Sequence, residues 1–238
     1  MRLDPAIRGL LFDAGYTLLR ASPSVGAVYH RITKSFGVDI PAAAFDRAAW
    51  EVFDACLREW SRDPAWYRTS EEEDRASWRE ILLALHRRLG RPPLPVEAWF
   101  EALYEAFRKP DVWAPYDDVA EALARLEARG IALGVVSNWN GSLRGILEHH
   151  GIAPRLRCIV ISALEGVRKP HPSIFERGVE ALGLAKGEVA YIGDTFEIDV
   201  EGAERAGLRG ILIRRGEPER DGAPPRPCTV IRSLRDIL

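Results

Sequence analysis

The sequence predicts an α/β fold: a parallel sheet built from alternating strands and helices, interrupted early by an all-helical insertion. Three observations lead there. Short aliphatic runs recur through the second half of the chain and are near-continuously apolar, as strands covered on both faces are. Amphipathic helical stretches separate them, and glycines stand where those helices should stop. Between about residues 20 and 110 the rhythm changes to helical periodicity with no convincing strand.

The elements follow in order. A first strand is expected over 7–12. Four helical stretches come next, near 24–36, 42–60, 71–89 and 95–107, punctuated by Pro23, Pro41, Pro64 and the Arg91-Pro92-Pro93 turn. Trp50, Trp60, Trp66, Trp78 and Trp99 lie in this insertion, where packing of a helical bundle explains them better than an aromatic ligand box. Beyond it, strands are expected over 131–136, 158–161, 189–192, 210–213 and 229–231. Helices over 117–129, 142–149, 172–182 and 197–206 alternate with them, which argues for βαβ units. Gly130, Gly151, Gly183 and Gly207 mark helix ends, and 216–227 reads as a surface loop. Residues 1–19 and 111–238 thus make the α/β core, and 20–110 the helical insertion.

Composition narrows the function. A chain of 238 residues, 47% apolar and 29% charged, is an ordinary globular protein able to bury a core. Its net charge of −2 provides no basic field for nucleic acid or an anionic membrane. Cys56, Cys158 and Cys228 are far apart, with neither metal-ligand spacing nor a disulfide framework, which suits the reducing cytoplasm. The first apolar run is short and broken by Asp13, so no signal peptide is expected, and no stretch reaches the length of a membrane span. No histidine has a spacing that suggests a metal site or triad. Lysine is scarce: only Lys34, Lys109, Lys169 and Lys186 occur among 33 basic residues, which makes the place of each one informative.

In open parallel sheets, ligands sit beyond the carboxyl ends of the strands. The first strand ends in Asp13, within "LLFDAGYTLL". The second ends in Ser137-Asn138, within "LGVVSNWNGS". After the third comes Lys169, within "EGVRKPHPSIF". The fourth ends in Gly193-Asp194, within "VAYIGDTFEID", with Asp199 following. Singly, each has a plain explanation as a turn residue, a solvated charge or an anion near a helix N-terminus. Together they put a carboxylate, a small hydroxyl, a lysine and a further acidic pair at one sheet edge.

With these four segments in order, the chain resembles the haloacid dehalogenase (HAD) superfamily, mostly phosphatases and other phosphoryl-transfer enzymes. The resemblance covers nearly the whole chain and implies a Rossmann-like core with a helical cap between the first and second motifs. It implies that Asp13 is the nucleophile, forming an aspartyl-phosphate, and that Ser137 and Asn138 donate hydrogen bonds to the transferred group. The resemblance also places Gly15, Tyr16 and Thr17 in the same phosphate-binding loop. Lys169 would neutralise nucleophile and phosphoryl oxygens, a point-charge role that suits an ammonium. Mg²⁺ is the implied cofactor, held by Asp13, Asp194 and the main-chain carbonyl of Gly15. Asp199 would be either a further ligand or an outer support. The implied partner is a small phosphorylated substrate, on a monomer or homodimer; Trp113 and the cap aromatics are candidates for an interface.

One position departs from the family pattern. Its phosphatases carry a second Asp two places after the nucleophile, as general acid and then base; here that residue is Gly15. Losing such a group costs on the order of 10²–10⁴ in rate with a poor leaving group. Three readings follow: a substrate with a good leaving group, a metal-independent 2-haloacid dehalogenase, or a non-catalytic module binding a phosphorylated ligand. A retained Asp194 favours the first over the second.

Overall fold

The computed structural model describes residues 3–216 and 224–238. Strand β1 (Gly9–Phe12) is followed at once by β2 (Leu19–Ala21) and four helices, α1 (Val25–Ser35), α2 (Ala42–Trp60), α3 (Glu71–Arg88) and α4 (Val96–Phe107). Strand β3 (Trp113–Pro115) then pairs antiparallel with β2. The alternating part runs α5 (Val119–Ala128), β4 (Ala132–Ser137), α6 (Ser142–His149), β5 (Cys158–Ile161), α7 (Ser162–Glu165), α8 (Pro172–Leu182) and β6 (Val189–Gly193). It closes with a π-helical turn (Phe196–Val200), α9 (Glu201–Arg205), β7 (Arg209–Ile213) and β8 (Thr229–Ile231).

Six strands form one parallel sheet in the order β5-β4-β1-β6-β7-β8. Strand order reverses around β1, so the crevice above β4, β1 and β6 is the topological switch point. Side chains alternate across the sheet. Leu10 and Phe12 pack with α5, α6 and the C-terminal turn, through Leu123, Ile146 and Leu234. Leu11 points the other way and joins Val136, Tyr191 and Phe175 beneath α8 and α9. All of β1, β4 and β6 is buried, which is why these strands are apolar throughout.

Helices α1–α4 enclose a second core of Tyr29, Phe45, Leu82, Leu85, Trp99 and Leu103. Serines start two of them: Ser24 Oγ accepts from Ala27 N and Ser70 Oγ from Glu73 N, each at 3.1 Å. The first turn of α3 is wholly acidic, Glu71 to Asp74, which suits the helix dipole and gathers carboxylates at that end.

Two details differ from expectation. The β2–β3 pair has no signal along the chain, because three-residue strands carry no readable period. The helix expected over 197–206 begins as a π turn, in which Asp199 Oδ2 accepts from Thr195 N at 2.9 Å while the Asp199 N–H donates to Thr195 O at 2.8 Å. Most of the loop expected over 216–227 lies outside the described residues. Gly130, Gly151, Gly183 and Gly207 all have positive φ at helix ends. The three cysteines are free. Among the described residues, no helix is long and apolar enough to cross a membrane.

Candidate active site

The register of the sheet assembles the site. Phe12 lies beside Val135 and Ile192, so the next residue, Asp13, emerges level with the ends of β4 and β6. Its N–H still donates to Ile192 O at 2.9 Å, which holds the backbone in line while the side chain turns to the crevice. Ser137 Oγ donates to Asp13 Oδ1 at 2.8 Å. Lys169 Nζ donates to the same oxygen at 2.7 Å. Neither contact uses Oδ2.

Lys169 is the hub. Its ammonium is 2% exposed and also donates to Asp199 Oδ1 at 2.7 Å and to the Tyr191 hydroxyl at 2.8 Å. The Tyr191 hydroxyl in turn donates to Val136 O at 2.7 Å. Burial alone would lower the lysine pKa, but the carboxylates of Asp13 and Asp199 outweigh it and hold the group above its usual value. Burial raises the Asp199 carboxyl, with Asp13 adding to the rise and Lys169 opposing it. Asn138 fixes the lysine from behind: its Oδ1 accepts from Lys169 N at 2.7 Å and its Nδ2 donates to Lys169 O at 3.0 Å. Its side chain therefore positions Lys169.

Asp199 fits because position 193 is glycine. A Cβ there would lie 2.3 Å from Asp199 Cγ, closer than any real side chain comes. Both Asp199 oxygens are hydrogen-bonded, one to Lys169 and one to Thr195 N. Asp13, Asp194 and Asp199 are all buried, and one ligand oxygen from each falls within 4.8 Å of the others. With Asp199 bonded to Lys169 and Thr195, the carboxylates of Asp13 and Asp194 are the oxygen donors here that suit a hard divalent cation.

A cavity of about 240 Å³ opens over these residues. Of the residues singled out by sequence, Asp13, Gly15, Tyr16, Ser137, Asn138, Lys169, Asp194 and Asp199 border it. Thr17 does not: its carbonyl accepts from Arg215, and its hydroxyl is buried with no hydrogen-bond partner among the described residues. Tyr16 adopts φ of 55°, a left-handed backbone unusual for an aromatic residue and worth about 1–3 kcal/mol of strain.

The rest of the wall is what sequence reasoning missed. Trp50, Trp60, Trp66 and Trp78 border the cavity, while Trp99 alone of the five is fully buried in the helical core. An aromatic lining thus exists where bundle packing alone was expected. Trp113 is also at the cavity, in edge contact with Trp139 at 4.7 Å between ring centroids. A Cβ at position 15 would stand 3.2 Å from Trp139 Cζ3, so an indole borders the space where the family's acid would project. The helices reach over the crevice through Glu71, which accepts from Gly141 N at 2.5 Å, and Asp74, which accepts from Asn140 Nδ2 at 3.1 Å. Burial holds the Asp74 carboxyl above the usual range, against the pull of Asn140 and Arg168. Arg168 donates to Thr69 Oγ1 at 2.7 Å and lies over the Trp66 ring.

Comparison with known proteins agrees with this architecture. The haloacid dehalogenase-like hydrolase profile matches residues 7–207. A phosphoserine phosphatase of Thermus thermophilus is 32% identical over 91% of this chain and 92% of its own. The haloacid dehalogenase-like hydrolase domain-containing protein 3 of Danio rerio is 27% identical over 97% of this chain and 95% of its own. A HAD-hydrolase from Bacillus subtilis, solved bound to magnesium, superposes with a TM-score of 0.75 at 18% identity, covering 97% of this chain and 96% of that one. The chain belongs to the haloacid dehalogenase-like hydrolases, and it is a hydrolytic enzyme.

Proposed function

We propose that this hydrolase is a Mg²⁺-dependent phosphatase that transfers the phosphoryl group of a small phosphorylated compound to Asp13 and then to water. The observation that carries the reading is the convergence on Asp13: Ser137 and Lys169 both bond Oδ1, beside two further buried carboxylates. The phosphatase names of relatives such as the Thermus protein support it.

The chain's own groups divide the work. Asp13 attacks phosphorus. Lys169 offsets charge on nucleophile and phosphoryl oxygens, where a fixed cation is worth most because water is excluded. Asn138, Asp199 and Tyr191 hold that ammonium in place, and Ser137 sets the Asp13 rotamer. Asp13, Asp194 and the Gly15 carbonyl would hold the metal, with Asp199 committed to Lys169 and Thr195. Bound there, Mg²⁺ would supply Lewis-acid charge toward a phosphoryl oxygen. In this reading residues 20–110 are the cap over a core of 1–19 and 111–238, and the enzyme works in the cytoplasm.

The test is phosphate release from an activated phosphomonoester with and without Mg²⁺, run beside halide release from 2-haloacids. Phosphate release that requires the metal and falls by at least about 10³ in Asp13→Asn is expected. Halide release without metal would reassign the enzyme as a dehalogenase.

A further inference from the structure

We propose that the group this enzyme releases is a planar aromatic alcohol, so that its substrates are aryl phosphate monoesters. The proposal rests on the phosphatase reading and names its substrate class.

Two independent features meet at one place. The first is the lining of the cavity. From the loop that carries Asp13, an aromatic chain climbs into the helices: Tyr16 meets Trp50 edge-on at 4.9 Å, Trp50 meets Phe53 at 6.0 Å, and Phe53 stacks on Trp78 at 6.2 Å. Trp139 and Trp113 form another part of the wall, beside the end of β4. A wall of aromatic rings offers an incoming ring the offset-stacked or edge-on contacts that aromatic pairs prefer. The cavity, about 240 Å³, falls below the roughly 300–1,000 Å³ that drug-sized ligands fill, and suits one or two fused rings. Cationic Lys169 lies at its floor, bonded to Asp13, and its charge favours the phosphoryl end there.

The second feature is the missing acid. Position 15 offers no carboxyl group, and the carbon edge of Trp139 borders its place. An alcohol leaving from there departs as its anion. An alkoxide does so poorly, since its conjugate acid is about as weak as water, with a pKa near 15.7. A phenolate, with a conjugate acid near pKa 10, leaves readily. The cavity that recognises rings is therefore the same one that requires an aryl oxide.

The chemistry balances. An Asp13 carboxylate oxygen bonds to phosphorus as the phosphorus–aryl oxygen bond breaks, and the electron pair stays on the aryl oxygen, which takes a proton from water. A second water then attacks phosphorus as the bond to Asp13 breaks; one of its protons stays on the departing phosphate, the other neutralises the hydroxide left by the first water, and the carboxylate is restored.

The experiment compares kcat/KM, in Mg²⁺, for phenyl and 2-naphthyl phosphate, whose leaving groups are similarly acidic, with glycerol phosphate, acetyl phosphate and a long-chain alkyl phosphate. We expect phenyl phosphate to exceed glycerol phosphate by on the order of 10². The naphthyl ester should exceed the phenyl ester by about tenfold through the added ring area. Trp50→Ala and, separately, Phe53→Leu should bring the naphthyl-to-phenyl ratio toward one, in proteins whose thermal transitions show them folded. A preference for glycerol, acetyl or long-chain phosphate, or a ring-size ratio near one in the unmodified enzyme, overturns the proposal while leaving the phosphatase intact. So does glycerol phosphate turnover that equals the aryl rate and is lost in Asp74→Asn, because the cavity would then contain its own acid. Failure to release phosphate from any ester removes the phosphatase reading and this proposal together.

Discussion

At the scale of single residues, the site depends on what stands next to what. Gly15 is the sharpest case. Restoring an aspartate there would supply the family's general acid in kind, yet its Cβ would meet Trp139 at 3.2 Å. The ring has to yield before the new carboxyl group can reach a leaving oxygen. Gly15→Asp alone is therefore expected to give no gain on alkyl phosphates. Gly15→Asp with Trp139→Ala is expected to exceed Trp139→Ala by about 10-fold or more on the same substrates. Steady-state kinetics of the three variants on glycerol phosphate decides it; equal rates in the double and the Trp139 variant would mean that position 15 does not face the leaving group. The identities of Asp13, Lys169 and Asp194 were legible from strand ends alone. The division of labour among them was not. That Asn138 grips the Lys169 backbone and that Asp199 is occupied by Lys169 and Thr195 depend on side-chain directions that no motif spells out.

At the scale of elements, α3 latches the helices to the core. Ser70 starts the helix, so its acidic first turn arrives at the loop after β4, where Glu71 accepts from Gly141 N and Asp74 from Asn140. An antiparallel bridge between Arg68 and Val167 ties the preceding segment to the loop that carries Lys169. Glu71→Ala removes a charged acceptor from the Gly141 N–H together with the ion pair to Arg108 at 3.7 Å. Because Glu71 is 43% exposed on its side chain, the loss is modest. An increase in KM of about threefold with kcat nearly unchanged is expected. A fall in kcat with KM unchanged would place the effect on chemistry and discount a latch. The helices themselves were readable from periodicity, since α2, α6 and α8 have the expected ends. What faced their apolar sides was not, because the same 3.6-residue pattern marks a stripe against a neighbouring helix and one against a cavity.

At the scale of the whole molecule, a buried knot ties the first loop to the C-terminus. Asp118 Oδ2 accepts from Arg215 at 2.6 Å, Ser233 Oγ at 2.6 Å and Leu234 N at 2.7 Å. Arg215 also donates to Thr17 O, four residues past the nucleophile. Burial pushes the Asp118 carboxyl up, but the bonds from Ser233 and Arg215 outweigh it and hold the pKa below its usual value. A carboxyl depressed in the folded state adds stability above its unfolded pKa of about 3.9, and that stability is lost as pH falls through the folded value. Asp118→Asn should cost about 3 kcal/mol at neutral pH, or roughly 6–12 °C in Tm for a chain of this size. The difference from the unmodified protein should narrow steadily below about pH 4. Thermal melts across pH check this; a difference that stays constant into acid would mean that the Asp118 charge contributes nothing to folding.

The amino-acid sequence by itself determined the parallel α/β core, the place and helical nature of the insertion, and the carboxylates, hydroxyl and lysine at the strand ends. Periodicity, helix stops and residue type act over a few neighbours, so they can be read along the chain. Tertiary structure alone decided that Ser137 and Lys169, 124 and 156 residues beyond Asp13, bond the same oxygen of it. It also decided which tryptophans line the cavity and that Trp139 borders the place of the absent acid. Those facts are distances between segments far apart in sequence, and they come into being only when packing of the sheet and helices sets the direction of each side chain.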